Sequence, residues 1–128
     1  MISVKTVNNI ADAFPIGILG QPDVLTPEEN DLLIAKVYKL RNTFGAGNTT
    51  DWLSGKLSPD NCYRQTNIAE YLEFRPLVER ITQCVHELAR SYGSDDTYDC
   101  TEGWYNIYSS NRYQEYHVHP NSIFSAVY

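Results

Sequence analysis

The period of the apolar residues changes once along this chain, at Ser94-Asp95-Asp96. Before that point large apolar side chains recur at helical spacing. After it they alternate with polar ones, as on the two faces of a strand. The chain is therefore expected to be helical first and strand-rich last.

Thr26-Pro27-Glu28-Glu29 reads as a helix start. Thr26 serves as N-cap, Pro27 takes the first helical position, and Glu29 completes a capping box. Leu33, Val37, Leu40 and Phe44 then share one face, and Gly45 and Gly47 stop the helix, giving 27–44. A second helix is expected over 74–92, with Leu77, Ile81, Cys84, Val85, Leu88 and Tyr92 as its apolar stripe and Gly93 at its end. His86 falls on the polar side, beside Glu87 and Arg90, and reads as solvated. Residues 13–25 carry two prolines and two glycines among apolar residues and read as an extended segment ending near Pro22. Residues 45–67 are polar and mixed, with Trp52 and Leu53 as their large apolar pair, and read as a long connection with a short strand.

Residues 97–108, 113–119 and 122–128 are expected to be three strands. Ser109-Ser110-Asn111-Arg112 and Pro120-Asn121 are the turns between them. Two helices followed by antiparallel strands predict one α+β domain, with the helices packed on a sheet.

The length, 128 residues, is that of one domain. A formal net charge of −6, with the ten basic residues scattered, argues against a nucleic-acid surface, which needs a basic patch. No apolar run is long enough to cross a membrane, and the N-terminal residues have no signal-peptide layout. Asn48-Thr49-Thr50 matches a glycosylation acceptor without a secretory signal to accompany it. Cys62, Cys84 and Cys100 are widely spaced and form no CxxC pair, so they read as structural thiols in a reducing, cytoplasmic setting.

Two of the three histidines stand at His117 and His119, just before Pro120. On a strand, i and i+2 share a face, so the two imidazoles are expected to point the same way and to be able to chelate one divalent metal. Tyr113 and Glu115 share that face, while Gln114, Tyr116 and Val118 take the other. Asn106 and Tyr108, on a neighbouring strand, are placed to hydrogen-bond the imidazoles.

These residues carry a resemblance. Gly103-Trp104-Tyr105-Asn106, followed by Gln114-Glu115-Tyr116-His117-Val118-His119-Pro120-Asn121-Ser122-Ile123-Phe124-Ser125-Ala126-Val127-Tyr128, resembles a group of 2-oxoglutarate- and Fe(II)-dependent oxygenases. That group has a W-x-N strand, an H-x-H-P turn and an S-G-V-Y strand; Ala126 stands here in place of the glycine. The extended FP segment, the two helices and a tryptophan loop around Trp52 also look like that group. The likeness is tight over residues 103–128 and loose elsewhere.

The resemblance implies a partial double-stranded β-helix, a jelly-roll of cupin type, with residues 1–93 as helical cover and 97–128 as the first strands. It implies Fe(II) and 2-oxoglutarate as cosubstrate. His117 matches the first metal ligand, and His119 stands where the wider superfamily has Asp or Glu. Trp104, Asn106, Tyr108 and Ser125 are implied to surround the metal or the cosubstrate pocket. The distal His and the Arg or Lys that holds the cosubstrate's far carboxylate lie on later strands in that group. The chain thus reads as the N-terminal portion of such an oxygenase, without turnover alone and self-associating through unpaired sheet edges. The implied reaction couples oxidative decarboxylation of 2-oxoglutarate to hydroxylation of a C–H bond on a small-molecule or protein substrate that the sequence does not identify. Two other readings stay open. A cupin-like metal-binding domain also uses an HxH pair, but it adds a Glu that Pro120–Tyr128 lacks. A non-catalytic structural or interaction module would leave the pair solvated.

Overall fold

The computed structural model describes residues 17–46, 53–54, 59–62 and 65–128. The elements in chain order are helix α1 (Pro27–Phe44), strand β1 (Asp60–Asn61), two 3₁₀ turns (Ile68–Glu70 and Leu72–Phe74), helix α2 (Arg75–Ser91) and strand β2 (Asn106–Ile107). The Asn48-Thr49-Thr50 triplet and Trp52 lie outside the described residues.

The start of α1 follows from its capping chemistry. The Thr26 hydroxyl accepts the Glu29 N–H at 3.2 Å, and the Glu29 carboxylate accepts the Thr26 N–H at 2.8 Å. Gly45, at φ +79°, closes the helix by donating to the Arg41 carbonyl at 2.8 Å. The second helix runs directly out of the Leu72–Phe74 turn, which touches both helices. Gly93, at φ +81°, turns the chain away after it.

The core joins Leu33 and Leu40 of α1 to Phe74, Leu77 of α2, Cys62 and Tyr105. Phe74 is 2% exposed and sits where both helices meet the 3₁₀ turn. Burying a side chain of that size contributes about 1.5–3 kcal/mol. Polar ties fasten the helices at the rim. Arg80 forks onto both Glu29 oxygens at 2.6 and 3.1 Å and donates to the Val24 carbonyl at 2.7 Å. The Glu29 carboxyl is consequently held below its ordinary value by the Arg80 guanidinium. Lys36 bonds Glu73 at 3.1 Å with its ammonium over the Tyr71 ring.

Among the described residues the expected α+β sheet and jelly-roll do not form. The described architecture is mostly helical, and its sheet is a two-residue antiparallel ladder pairing Asp60 with Ile107 and Asn61 with Asn106. Of the three expected strands only 106–107 is one; residues 113–119 and 122–128 are irregular. The physical reason is that alternation makes a segment able to be a strand, but a strand exists only beside a partner that takes its N–H and C=O groups. The partner present among the described residues is β1, two residues long. Tyr116, Val118, Ile123 and Val127 therefore stay exposed.

The two expected turns do form. The Ser109 carbonyl accepts from Arg112 N–H at 3.0 Å, and the His119 carbonyl accepts from Ser122 N–H at 3.3 Å. Asn111 and Asn121 both sit at φ 66°, a left-handed conformation that asparagine tolerates. Among the described residues no helix is long and apolar enough to cross a membrane.

Candidate metal centre

The turn at Pro120-Asn121 and the irregular run before it bring His117 and His119 together. Their ring centroids lie 4.8 Å apart, and their Nε2 atoms face each other at 2.9 Å. His117 Nδ1 lies 3.0 Å from the Glu115 carbonyl oxygen. A carbonyl only accepts, so Nδ1 carries the proton and Nε2 presents a lone pair. In this state His119 Nε2–H completes a hydrogen bond to that lone pair. The same spacing suits chelation: two donors about 2.1 Å from one ion and roughly at right angles to each other lie ~2.9 Å apart. A carbonyl fixing the far nitrogen of a ligating imidazole is the usual way its tautomer and ring orientation are set.

Trp104 supports the pair from the side. Its indole stacks on the His119 ring at 5.2 Å between centroids and 28° between planes. The backbone before it is clamped. The Asn67 side-chain oxygen accepts the N–H groups of Ala69 and Gly103 at 3.1 and 3.0 Å, its amide donates to the Thr101 carbonyl, and the Gly103 carbonyl accepts from Ile68 N–H at 3.0 Å. Gly103 packs closely here: a Cβ there would meet Ile68 Cγ1 at 3.2 Å, a tight contact that the Ile68 side chain would have to yield to. Tyr105 on the other side is buried in the core.

Gln114 ties the histidine segment to β2. Its side-chain oxygen accepts from Asn106 Nδ2 at 3.2 Å and from the Tyr108 hydroxyl at 3.1 Å. The hydrogen bonds of Asn106 and Tyr108 thus end on Gln114 and not on an imidazole. Glu115 accepts the Leu53 N–H at 2.7 Å. Arg112 donates to buried Asp60, which also takes Arg41 Nε at 3.3 Å. Residues 113–117 line an open groove of about 410 Å³ beside His117.

Ser125 is exposed and bonds neither imidazole. His86 is not merely solvated: its Nε2 accepts the Tyr98 N–H at 3.0 Å and holds the residues after α2 onto that helix. The three cysteines are free thiols, Cys62 buried, Cys84 half-buried and Cys100 exposed. Burial pushes the Cys62 thiol up, and it pushes the Tyr105 phenol up to about 12. The Tyr105 hydroxyl and Asn106 Oδ1 are buried without a hydrogen-bond partner.

Among the described residues no group of three His, Cys, Asp or Glu side chains converges; the two facing imidazoles would offer a metal two donors. Sequence reasoning missed Gln114, Asn67 and the Asp60 cluster. Asn67 carried a usable signal, a capping residue before Ile68, whereas Gln114 and Asp60 act through partners distant in the chain. No family model matches the chain, and neither a curated protein nor a solved structure matches it.

Proposed function

We propose that this chain carries part of the iron site of a 2-oxoglutarate- and Fe(II)-dependent oxygenase, with His117 and His119 as metal donors. The observation that supports this most is the convergence of the two Nε2 atoms at 2.9 Å, within a segment bearing the H-x-H-P and W-x-N motifs. Iron bound there would supply the oxidising chemistry, in which O₂ would give one oxygen atom to a substrate C–H bond and the other to succinate as 2-oxoglutarate loses CO₂. The chain's own part is to bind and orient. Glu115's carbonyl keeps the proton on His117 Nδ1, Trp104 gives His119 an apolar wall, and Gln114 anchors the segment to β2. The open groove along residues 113–117 adjoins the pair and is of a size that admits a small molecule or a side chain. Three free thiols suit a reducing, cytoplasmic setting. Self-association through the exposed side chains of residues 113–128, such as Tyr116, Val118 and Val127, belongs to the same proposal.

Anaerobic calorimetric titration of the 128-residue chain with Fe(II), and with Ni(II) as a redox-silent stand-in, tests the reading. One weakly held ion is expected, and His117→Ala or His119→Ala should lower its affinity at least ~10-fold. Binding indifferent to both substitutions would refute it. Two imidazoles are one donor short of a facial triad, so little or no succinate is expected from the chain with Fe(II), 2-oxoglutarate and ascorbate. Robust turnover would mean that the donor set is larger than proposed. A non-catalytic interaction module is the second reading, favoured by the exposure of Tyr116, Val118, Ile123 and Val127; it predicts no metal response at all.

A further inference from the structure

We infer that Trp104 is a positioning residue: by stacking on His119 it holds that imidazole in the orientation from which it meets His117. The inference rests on the metal-donor reading above.

The backbone cannot do this work. Residues 113–120 belong to no strand, and His117 is exposed, so no ladder fixes where the His119 ring points. Among the described residues the His119 ring meets the His117 ring and the Trp104 indole. His117 is also held from its own segment, through the Glu115 carbonyl two residues back. Trp104 ties the His119 ring to the folded body. Its own backbone is fixed on one side by the Asn67 clamp on Gly103 and on the other by buried Tyr105.

An imidazole swinging freely about its Cα–Cβ bond visits several staggered positions, of which few bring Nε2 to its partner. A flat aromatic wall removes most of the others without competing for the donor nitrogen. Trp104 therefore contributes through pre-organisation: it leaves the donor chemistry unchanged and raises the fraction of time both nitrogens converge. A planar ring of smaller area should keep much of the effect, and a branched aliphatic chain should lose it.

The first measurement needs no metal. The indole ring current should move the His119 ring protons upfield of those of His86 in the proton NMR spectrum of the whole chain. Trp104→Leu should abolish the displacement and Trp104→Phe should retain part of it. The second is Ni(II) titration of the same proteins. Trp104→Leu should weaken binding about tenfold, the scale seen when support behind a metal ligand is removed, and Trp104→Phe should fall within a factor of about three of wild type. A third readout covers the case in which Trp104→Leu fails to fold. With Trp52→Phe, Trp104 is the sole tryptophan, and Ni(II) should quench its emission in a manner abolished by His119→Ala.

An unshifted His119 ring, equal Ni(II) affinity in a folded Trp104→Leu, or quenching that survives His119→Ala would each overturn the inference. Failure of the metal-donor reading looks different: the ring-current displacement would be present while Ni(II) binds nowhere or ignores both histidines.

Discussion

Residues 26–91 and residues 108–128 are held by different means. The first region carries its own partners. Each helix satisfies its backbone internally, Thr26 and Glu29 cap one end, and Leu33, Leu40, Phe74 and Leu77 share a common interior. The second region is held by side-chain hooks spaced along an irregular backbone. Arg112 reaches Asp60, Gln114 reaches Asn106 and Tyr108, Phe124 meets Tyr98 edge-on, and the Tyr128 hydroxyl reaches Asn30 at 3.1 Å. Dispersed burial makes a region cooperative. Hooks make a region whose parts can be released one at a time.

The largest expected effect lies in the first region. Leu33→Asp places an unpaired charge in the core and should abolish cooperative melting, and Phe74→Ala should cost about 3–5 kcal/mol in urea unfolding. Tyr116→Ala, in the second region, should change stability by less than ~0.5 kcal/mol. Comparable losses for Phe74→Ala and Tyr116→Ala would erase the distinction between the regions.

Asp60→Ala comes next, at about 2 kcal/mol, because it strips Arg41 and Arg112 of the carboxylate they share. Its sharper signature is local. Limited trypsin digestion should cut faster after Arg112, while the helices keep their amide protection in hydrogen exchange. Loss of protection throughout would show that the hooks hold the helices too.

The pH dependence has two limbs of opposite sign, both set by groups of the helical body and its core. Glu29 has a depressed carboxyl pKa, so its stabilisation of α1 is present above its ordinary value of 4.5 and is lost as pH falls through the folded value. Glu29→Gln should flatten that acid limb of the melting curve. Tyr105 has a raised pKa, so folding keeps its phenol neutral; stability is full below its ordinary 10 and declines as pH rises toward about 12. Tyr105→Phe should flatten the alkaline limb. Since the buried hydroxyl has no partner, the same change should raise stability at neutral pH by about 0.5–1 kcal/mol. A loss on Tyr105→Phe would show that the hydroxyl is satisfied in solution.

The smallest expected effect is weak, concentration-dependent self-association, visible as a rise in mass by light scattering. Val118→Lys and Val127→Lys should suppress it if the exposed run of residues 113–128 is responsible. A clean monomer at all concentrations would remove the proposal.

Much of the first region was legible because its signals are local. Thr26, Pro27, Glu29 and Gly45 mark α1 within one turn of each end, and the stripe from Leu77 onward marks α2. In the second region the turn signals were also correct: Asn111 and Asn121 make the turns expected around them, whereas His117 and His119 converge on an irregular segment and not on the strand from which their shared face was argued. What could not be read was the sheet. Alternation between Tyr113 and His119 says which faces a strand would have, and nothing in those seven residues says whether a partner strand lies alongside. For the same reason Gln114 and Asp60 were invisible: each matters only through groups brought from elsewhere in the fold. His86 lay on the polar face as expected, yet it found the Tyr98 N–H, which no helical pattern encodes.

The shared carboxylate of Asp60 has a further consequence when the chain is viewed as a set of loops. Arg41 lies 19 residues to one side and Arg112 52 to the other, so a single side chain is the node of two closed rings. Closure entropy grows only with the logarithm of length, so the longer ring costs roughly 0.9 kcal/mol more than the shorter. Adding ten residues beside exposed Asp95, in the Gly93–Asp96 bend, would add only ~0.2 kcal/mol, so long as the node survives. The longer ring should therefore accept insertions at that bend far more readily than any substitution at Asp60 itself.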